Sequence, residues 1–440
     1  MFRLIDQKLL QWKNKSDRKP LIILGARQIG KTYSILEFGN KNYKNAAYFY
    51  FEGNLKLQNL FVNANDNIQN LIIQLSIYSG INIIPETTLI IFDEIQSCNA
   101  AISSLKRIYE VMPNLHIICA GSLLGLVTKR EGFSFPVGKV DILKMHPMNF
   151  YEFVLAIDNN NTTLLNEIQK CYDNNKKFSN HDKAIDLYNL YLVIGGMPDV
   201  VETYIKTKNL LLVKAKQMNI LESYSKDMVK YCTTSESIKI ESCFNSIPAQ
   251  LAKENHKFQY NIIKSGARAK EYENCIDWLV SSNIVLKSIK IKQPIMPIKM
   301  YEDLLSYKIY MLDVGLFCAK CDFVQQTILF NNDNNISKGT LTETYVAEEL
   351  NSGNISLHYW ESNGIAEVDF IYQDMNGEII PIEAKTSINV KSKSLMQYIN
   401  NYKPRYAIRI SGKNFGFENN IKSIPLYAIW CLTKSLNDQF

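Results

Sequence analysis

The sequence predicts an α/β chain built on a parallel sheet at its amino-terminal end, with further units behind it. Three observations carry this. Short apolar runs at 21–24, 46–51, 88–92 and 115–120 alternate with helical patterns such as 100–111, and strand–helix alternation is the mark of a parallel sheet. The first run passes directly into a glycine-bounded turn, Gly25 to Thr32, with residues 33–38 able to continue it as a helix. The chain has 440 residues, 46% of them hydrophobic, enough for two to four domains at roughly 100–200 residues each.

The turn between strand and helix reads Gly25, Ala26, Arg27, Gln28, Ile29, Gly30, Lys31, Thr32, the G-x-x-x-x-G-K-[ST] pattern of a phosphate-binding P-loop. Each residue has a physical task. Gly25 and Gly30 let the backbone wrap so that its N–H groups point at phosphate oxygens. The helix N-terminus adds partial positive charge. Lys31 reaches the β- and γ-phosphates, and the Thr32 hydroxyl ligates magnesium. ATP with Mg2+ is the expected ligand. The competing structural reading is a tight strand-to-helix turn.

The run at 88–92 ends in Asp93-Glu94. Asp93, at the end of a neighbouring strand, holds magnesium through water, and Glu94 polarises the attacking water as a general base. The run at 115–120 ends in Gly121-Ser122, where Ser122 either senses the γ-phosphate or simply makes a turn. Arg107 and Arg130 are the nearest candidates for an arginine finger, the alternative for each being a solvated side chain.

Composition sets outer limits. The net charge of +6 permits a nucleic-acid partner without arguing for one. Nine cysteines, an odd number without a framework, fit a reducing compartment, so a cytoplasmic location is expected. Cys318 and Cys321 form a lone Cys-x-x-Cys, read as small apolar residues near a helix end rather than as half a zinc site. Residues 1–15 lack the apolar core of a signal peptide. No stretch approaches the ~20 apolar residues of a membrane span, so no membrane association is expected. Asn-rich stretches at 158–163 and 331–335 read as surface loops.

In the middle of the chain, Gly195-Gly196-Met197-Pro198 separates two helical patterns within 187–205. The glycines allow close packing and Pro198 starts the next helix, a corner expected in the lid of an ATPase. Around 247–289 a small helical unit precedes a hairpin. Lys253, Lys257, Lys264, Arg268 and Lys270 cluster there with Phe258, Tyr260 and Tyr272. This fits either a winged-helix module touching DNA phosphates or an ordinary solvated basic face.

The last segment holds a second constellation. Residues 367–372 and 378–385 read as strands joined at Asn376-Gly377, a hairpin turn. Glu383 and Lys385, two apart, share a face. A three-residue loop at 375–377 sets Asp369 opposite Glu383, with Lys385 beside them. A two-residue loop would set Asp369 opposite Ala384 instead. Two carboxylates and a lysine so placed can hold magnesium and position a water for phosphodiester hydrolysis. Glu343, on the apolar stripe of a helix, is the candidate to complete the set as a third metal ligand. Against this stand a capping box from Thr340 to Glu343 and a plain cross-strand salt bridge.

With these motifs in view, the chain resembles prokaryotic AAA-superfamily ATPases that carry a C-terminal domain of unknown function related to PD-(D/E)XK nucleases. The landmarks are Gly25–Thr32, Leu89–Glu94, Gly121-Ser122, Phe135–Gly138, Gly195–Pro198, Asp313–Leu316 and Glu343 through Lys385. The resemblance implies a P-loop NTPase (AAA-type) parallel sheet domain at 1–155, a helical lid at 156–210, a helical or winged-helix region at 211–330, and a restriction-endonuclease-like α/β domain at 331–440. It implies that Asp369, Glu383 and Lys385 match the nuclease motif and Glu343 its helical acid, and that the chain forms homo-oligomers through AAA-type contacts. Two functions follow as expectations: an ATPase coupled to a metal-dependent nuclease acting on DNA, or an ATP-driven switch whose nuclease-like domain only binds DNA or a protein. A small-molecule kinase is disfavoured by Glu94 and by the size of the C-terminal half.

Overall fold

Runs that are apolar at every position have no wet face, and they form strands covered on both sides. In the computed structural model, which describes residues 1–64, 67–122, 135–253, 256–329, 336–362, 364–387 and 392–437, β3 (Thr88–Asp93) and β4 (His116–Gly121) are buried at every position. They lie in a five-stranded sheet ordered β2-β3-β4-β1-β5, with β1 Leu21–Leu24, β2 Asn45–Tyr50 and β5 Asp141–Lys144. All its pairings are parallel, so each return crosses through a connection such as a helix. Among the described residues its helices are α1 (Ile5–Asn14), α2 (Lys31–Asn42), α3 (Leu55–Val62), α4 (Ile68–Ser79) and α5 (Asn99–Val111). The expected runs are all here, displaced by a residue at β2 and β4. Edge strand β5 has an alternating pattern of burial and no apolar run marks it.

Two compact units divide the chain. The first takes Phe2–His146 with Ser281–Asn283, and the second takes Pro147–Val280 and Ile284–Phe440 with Met1. The second begins with α6 (Phe150–Ile157), whose start is fixed by a reciprocal capping box between Asn149 and Glu152. Helices α7 (Thr163–Asp173), α8 (His181–Ile194), α9 (Pro198–Thr207), α10 (Leu210–Tyr231), α11 (Thr234–Leu251), α12 (Tyr260–Ile263) and α13 (Ala269–Ser281) follow, then β6 (Val285–Ile291) and β7 (Glu302–Met311). After α14 (Val314–Lys320), α15 (Gln325–Leu329) and α16 (Ile336–Ser352) come β8 (His358–Ser362), β9 (Ala366–Gln373), β10 (Ile379–Ala384), α17 (Lys393–Tyr402), β11 (Ala407–Ser411), β12 (Gly416–Glu418), β13 (Ile421–Pro425) and α18 (Ile429–Asn437).

One eight-stranded mixed sheet, β12-β13-β11-β10-β9-β8-β6-β7, runs through this unit. Strand β6 pairs parallel to β8, so the hairpin of the middle region extends the C-terminal sheet. The stretches read as lid, middle region and C-terminal domain therefore pack together as one unit. The 158–163 loop is a short link between α6 and α7, whereas residues 331–335 lie outside the described residues. All nine cysteines are free thiols, and Cys318 and Cys321 sit at the end of α14. Among the described residues, no helix is long and apolar enough to cross a membrane.

One corner of the unit is tied by a carboxylate. Asp313 caps α14 through the Leu316 N–H at 2.7 Å, and its other oxygen accepts from the Gly196 N–H at 2.6 Å. Gly196 in turn accepts from the Met148 N–H at 2.7 Å. A Cβ on Gly196 would drive into the Met148 carbonyl, which is why glycine stands in this break. Burial pushes the Asp313 carboxyl up to about 6, against the backbone N–H groups that favour its charged form. Beside it, Glu348 accepts from the Tyr191 hydroxyl at 2.7 Å and the Val314 N–H at 2.9 Å. Two separate landmarks of the sequence, 195–198 and 313–316, are thus one joint.

One expectation is corrected. α16 starts at Ile336, a turn before Thr340, so Thr340 and Glu343 form no capping box. Thr340 lies inside the helix and donates to the Leu251 carbonyl at 3.3 Å.

The close approach at Gly196 predicts a specific sensitivity. Gly196→Ala should destabilise the protein by about 1–3 kcal/mol through overpacking. Gly339→Ala, on a helix with open space around its Cβ position, should be neutral or slightly stabilising. Thermal unfolding of the two variants beside wild type checks this, and equal midpoints would refute the close-packing argument.

Candidate functional site

The P-loop joins β1 to α2 at the carboxyl edge of the sheet, where parallel α/β folds place their ligands. Gly30 caps α2 with φ of 90°, a left-handed geometry that costs a side-chain-bearing residue steric strain. Lys31 is buried, and its Nζ donates to the Gly25 carbonyl at 2.9 Å and the Ala26 carbonyl at 2.6 Å. Burial lowers its ammonium to about 8, while Glu94 and Asp93 act to raise it. Phosphate oxygens would offer that ammonium a stronger partner than the two carbonyls.

Asp93 stands at the end of β3, with β4 between it and β1 rather than directly beside β1 as the sequence reading had it. It nevertheless reaches the loop. The Thr32 hydroxyl donates to Asp93 Oδ2 at 2.8 Å. The Tyr48 hydroxyl donates to the same oxygen at 2.8 Å, and the Glu94 N–H donates to Oδ1 at 3.0 Å. A hydroxyl and a carboxylate already adjacent suit magnesium, which takes one or two protein ligands and completes its shell with phosphate and water. Thr32 and Asp93 are the residues that would hold it.

Glu94 has φ of 50°, an uncommon left-handed geometry for a non-glycine residue, and its carboxylate accepts from the Gln96 side chain. Ser122 is buried just past β4, with Arg27 Nε 3.4 Å from its hydroxyl. Arg107 lies on an exposed position of α5, and Arg130 lies outside the described residues. Gly25, Ala26, Arg27, Gln28 and Ile29 complete the loop, with Gln28 also left-handed at φ of 64°.

Three residues of this site escaped the sequence reading. Tyr48 and Gln96 hold the two acids. Arg3 holds the loop from behind: one guanidinium nitrogen donates to the Ile29 carbonyl at 2.9 Å and another to the His146 carbonyl at 2.8 Å. Gln96, in Asp-Glu-Ile-Gln, carried a local signal. Arg3 and Tyr48 carried none, since their partners are remote in the chain.

In the second unit, the hairpin register runs from Ile379 opposite Gln373 to Ile382 opposite Phe370. The next step sets Asp369 opposite Glu383. Asp374 donates its N–H to the Glu378 carbonyl at 2.9 Å, closing the three-residue loop that this register requires. Lys385 Nζ lies 3.3 Å from Glu383 and 3.8 Å from Asp369, and the Ala384 N–H donates to Asp369 Oδ2 at 2.8 Å. Burial pushes the Asp369 carboxyl up to about 6, opposed by Lys385. Glu383 Oε2 is buried without a hydrogen-bond donor.

Glu343, expected as a third metal ligand beside this pair, has partners of its own. Its carboxylate accepts from Lys308 Nζ at 3.0 Å and from the Tyr310 hydroxyl, and His256 Nδ1 lies 2.7 Å away. Burial alone would raise the Glu343 carboxyl, but Lys308 and His256 outweigh it and hold the group well below the usual range. Lys308 also donates to Glu367. Among the described residues no three His, Cys, Asp or Glu side chains are grouped to hold a metal ion. Glu343 thus faces Lys308, Tyr310 and His256, while Asp369 and Glu383 face Lys385. Lys308 interrupts the otherwise apolar run 307–312, and that break is the signal in the sequence of a buried cation.

The basic residues near the hairpin divide by exposure. Lys253, Lys264, Arg268 and Lys270 are exposed and Lys257 is half-buried. Their aromatic neighbours turn inward: Phe258 stacks on Tyr307 at 5.5 Å between centroids, the Tyr260 hydroxyl meets that of Tyr307 at 2.6 Å, and Tyr272 is buried. Glu271 and Glu273 share the exposed surface of α13 with Lys270.

Comparison with known families matches residues 17–154 to an AAA domain. Residues 185–327 and 338–429 match two domains of unknown function, DUF8612 and DUF4143. Residues 17–154 are thus similar to an AAA domain, and the two matches that follow it have no assigned role. No curated protein matches the chain. Among solved structures, a Walker-type ATPase of Pyrococcus abyssi aligns at 12% identity over 72% of this chain and 95% of that one, with a TM-score of 0.45. The Aeropyrum pernix ORC1 protein, solved in complex with DNA, aligns at 10% identity over 74% and 92%, with a TM-score of 0.29. AMPPCP-bound DnaA from Aquifex aeolicus aligns at 15% identity over 63% and 85%, with a TM-score of 0.27. All three are distant.

The Arg3 clamp makes a prediction of its own. Arg3→Met leaves the Ile29 and His146 carbonyls without this donor, a loss of about 1–3 kcal/mol. Affinity for a fluorescent ATP analogue should fall about tenfold, equivalent to ~1.4 kcal/mol, and unchanged affinity would show that the loop holds its shape without the clamp.

Proposed function

We propose that this chain is an ATP-hydrolysing molecular switch, and that the observation carrying this reading is the acid pair after β3. Asp93 is engaged by Thr32, while Glu94 carries a second carboxylate that plain nucleotide binding does not need. In this reading the P-loop N–H groups and Lys31 bind the phosphates, and Ser122 and Arg27 lie at the same edge of the sheet. Thr32 and Asp93 would hold magnesium, which when bound would supply charge neutralisation at the phosphates. Glu94 takes the proton of a water whose oxygen attacks the γ-phosphorus, the bond to the β-phosphate oxygen breaks, and ADP and phosphate leave. Gln96 positions Glu94, and Tyr48 positions Asp93.

For the second unit we favour the non-catalytic form of a nuclease-like domain, on the ground that Glu343 is engaged by Lys308, Tyr310 and His256. The exposed Lys253, Lys264, Arg268 and Lys270 suit contact with DNA phosphates. The inward aromatics and the acids on α13 argue against base stacking and groove reading by that helix. One observation favours an active nuclease as the second reading: Glu383 Oε2 has no hydrogen-bond donor beside Asp369 and Lys385. Domains at 1–155, 156–210, 211–330 and 331–440, a lid role for the second of these, homo-oligomerisation and a cytoplasmic location remain part of this proposal.

Phosphate release tests the first reading. Lys31→Ala should lose nucleotide binding, whereas Glu94→Gln should still bind ATP but hydrolyse it about 10²–10⁴-fold more slowly. Full hydrolysis by Glu94→Gln would remove the acid from its assigned role.

Labelled single- and double-stranded DNA with magnesium or manganese tests the second. Binding that weakens with salt and in Lys264→Ala/Arg268→Ala/Lys270→Ala, without cleavage, is expected. Cleavage by wild type that Lys385→Ala abolishes while ATPase activity persists would establish the nuclease instead.

A further inference from the structure

An ammonium group has three N–H donors and no acceptor. Lys308 Nζ has no exposed surface, so all three must be satisfied inside the protein. One goes to Glu343 Oε1 at 3.0 Å and one to Glu367. The remaining side of the ammonium faces the ring of Tyr359, 5.0 Å from its centroid, a favourable direction for a cation. Asp369, on the same face of β9 as Glu367, lies within electrostatic reach of Lys308.

Glu343 and Asp369 are two of the three acids that the family resemblance would assign to a divalent cation; the third, Glu383, pairs with Lys385 at 3.3 Å, and Glu367 is an acid the resemblance does not assign. The residues present do not fit that ion. A divalent cation drawn to Glu343 and Asp369 would meet a buried positive charge that cannot retreat to water. It would also have to displace Lys308, His256 and Tyr310 from the Glu343 carboxylate.

We infer that Lys308 is a built-in cation that takes the place of a divalent metal in the C-terminal acidic cluster. Its ammonium, carried on β7, ties α16 to β9 through the carboxylates of Glu343 and Glu367, a link a metal ion could otherwise supply. The cluster then holds together without metal, and its remaining exposed charge is Lys385 at one side. This rests on the non-catalytic reading of the second unit and gives it a physical cause.

Manganese binding to nucleotide-free full-length protein, followed by the electron paramagnetic resonance of free Mn2+, supplies the test. Wild type and Asp369→Asn should take up the same amount of Mn2+, because the cluster contributes no site in either. Lys308→Ala should unfold at a lower temperature than wild type, and Mn2+ should restore part of the loss. That restoration should vanish in Lys308→Ala/Glu343→Gln. Uptake by wild type that Asp369→Asn removes would overturn the inference, and it needs only variants that keep Lys308. A folded Lys308→Ala protein whose midpoint ignores Mn2+ would overturn it too. DNA cleavage by wild type without Mn2+ uptake at Asp369 would instead sink the non-catalytic reading and leave the Lys308 assignment standing.

Discussion

A charge taken out of water must find its counter-charge or its hydrogen bonds inside the protein, and much of this chain is arranged around that constraint. Lys308, wholly buried, meets Glu343 and Glu367. Lys31, also buried, meets the carbonyls of its own loop. Asp313 meets the N–H groups of Gly196 and Leu316. Where the partner lies on another element, as for Lys308 with Glu343 and Glu367 and for Asp313 with Gly196, satisfying the charge also fixes where that element sits.

The first unit uses the constraint to prepare a site. Asp93 gathers a hydroxyl from α2, a phenol from β2 and a backbone N–H from the turn after β3. These groups converge on one carboxylate, and an arrangement of this kind lowers the reorganisation required when charge develops. The left-handed backbone at Glu94 belongs to the same arrangement. It is strained for a non-glycine residue, and such strain persists where the surroundings over-determine it. Here those surroundings include the bond from the Glu94 N–H to Asp93 and the Gln96 side chain.

The second unit uses the same constraint to close a cluster. Carboxylates on α16, β9 and β10 are matched by Lys308, Lys385 and His256, and the two lysines differ in kind. Lys308 is sealed, while the Lys385 side chain is 41% exposed, so its ion pairs are weakened by solvent. Because β6 pairs with β8, the β6–β7 hairpin, and Lys308 with it, is brought into the sheet that carries Asp369 and Glu383. The middle region and the C-terminal region thus share one electrostatic centre.

Much of this was legible in the sequence, and for a physical reason. The P-loop, the strand ending in Asp93-Glu94, and the Asp369–Glu383 register all depend on residues close in the chain: a turn of fixed length, a strand of period two, a three-residue loop. Local geometry determines such features, so the sequence by itself determined the P-loop turn, the acid pair after β3 and the cross-strand carboxylate pair. What it left open were meetings of remote residues. Arg3 at Ile29, Tyr48 at Asp93, Gly196 at Asp313 and Lys308 at Glu343 each join segments whose approach depends on the packing of whole elements. The Thr340 capping box failed in the same way, because the helix begins a turn earlier than its local signal suggests. Only the tertiary structure decided which cation Glu343 would face, since burial, not spacing, selects the partner of a charge.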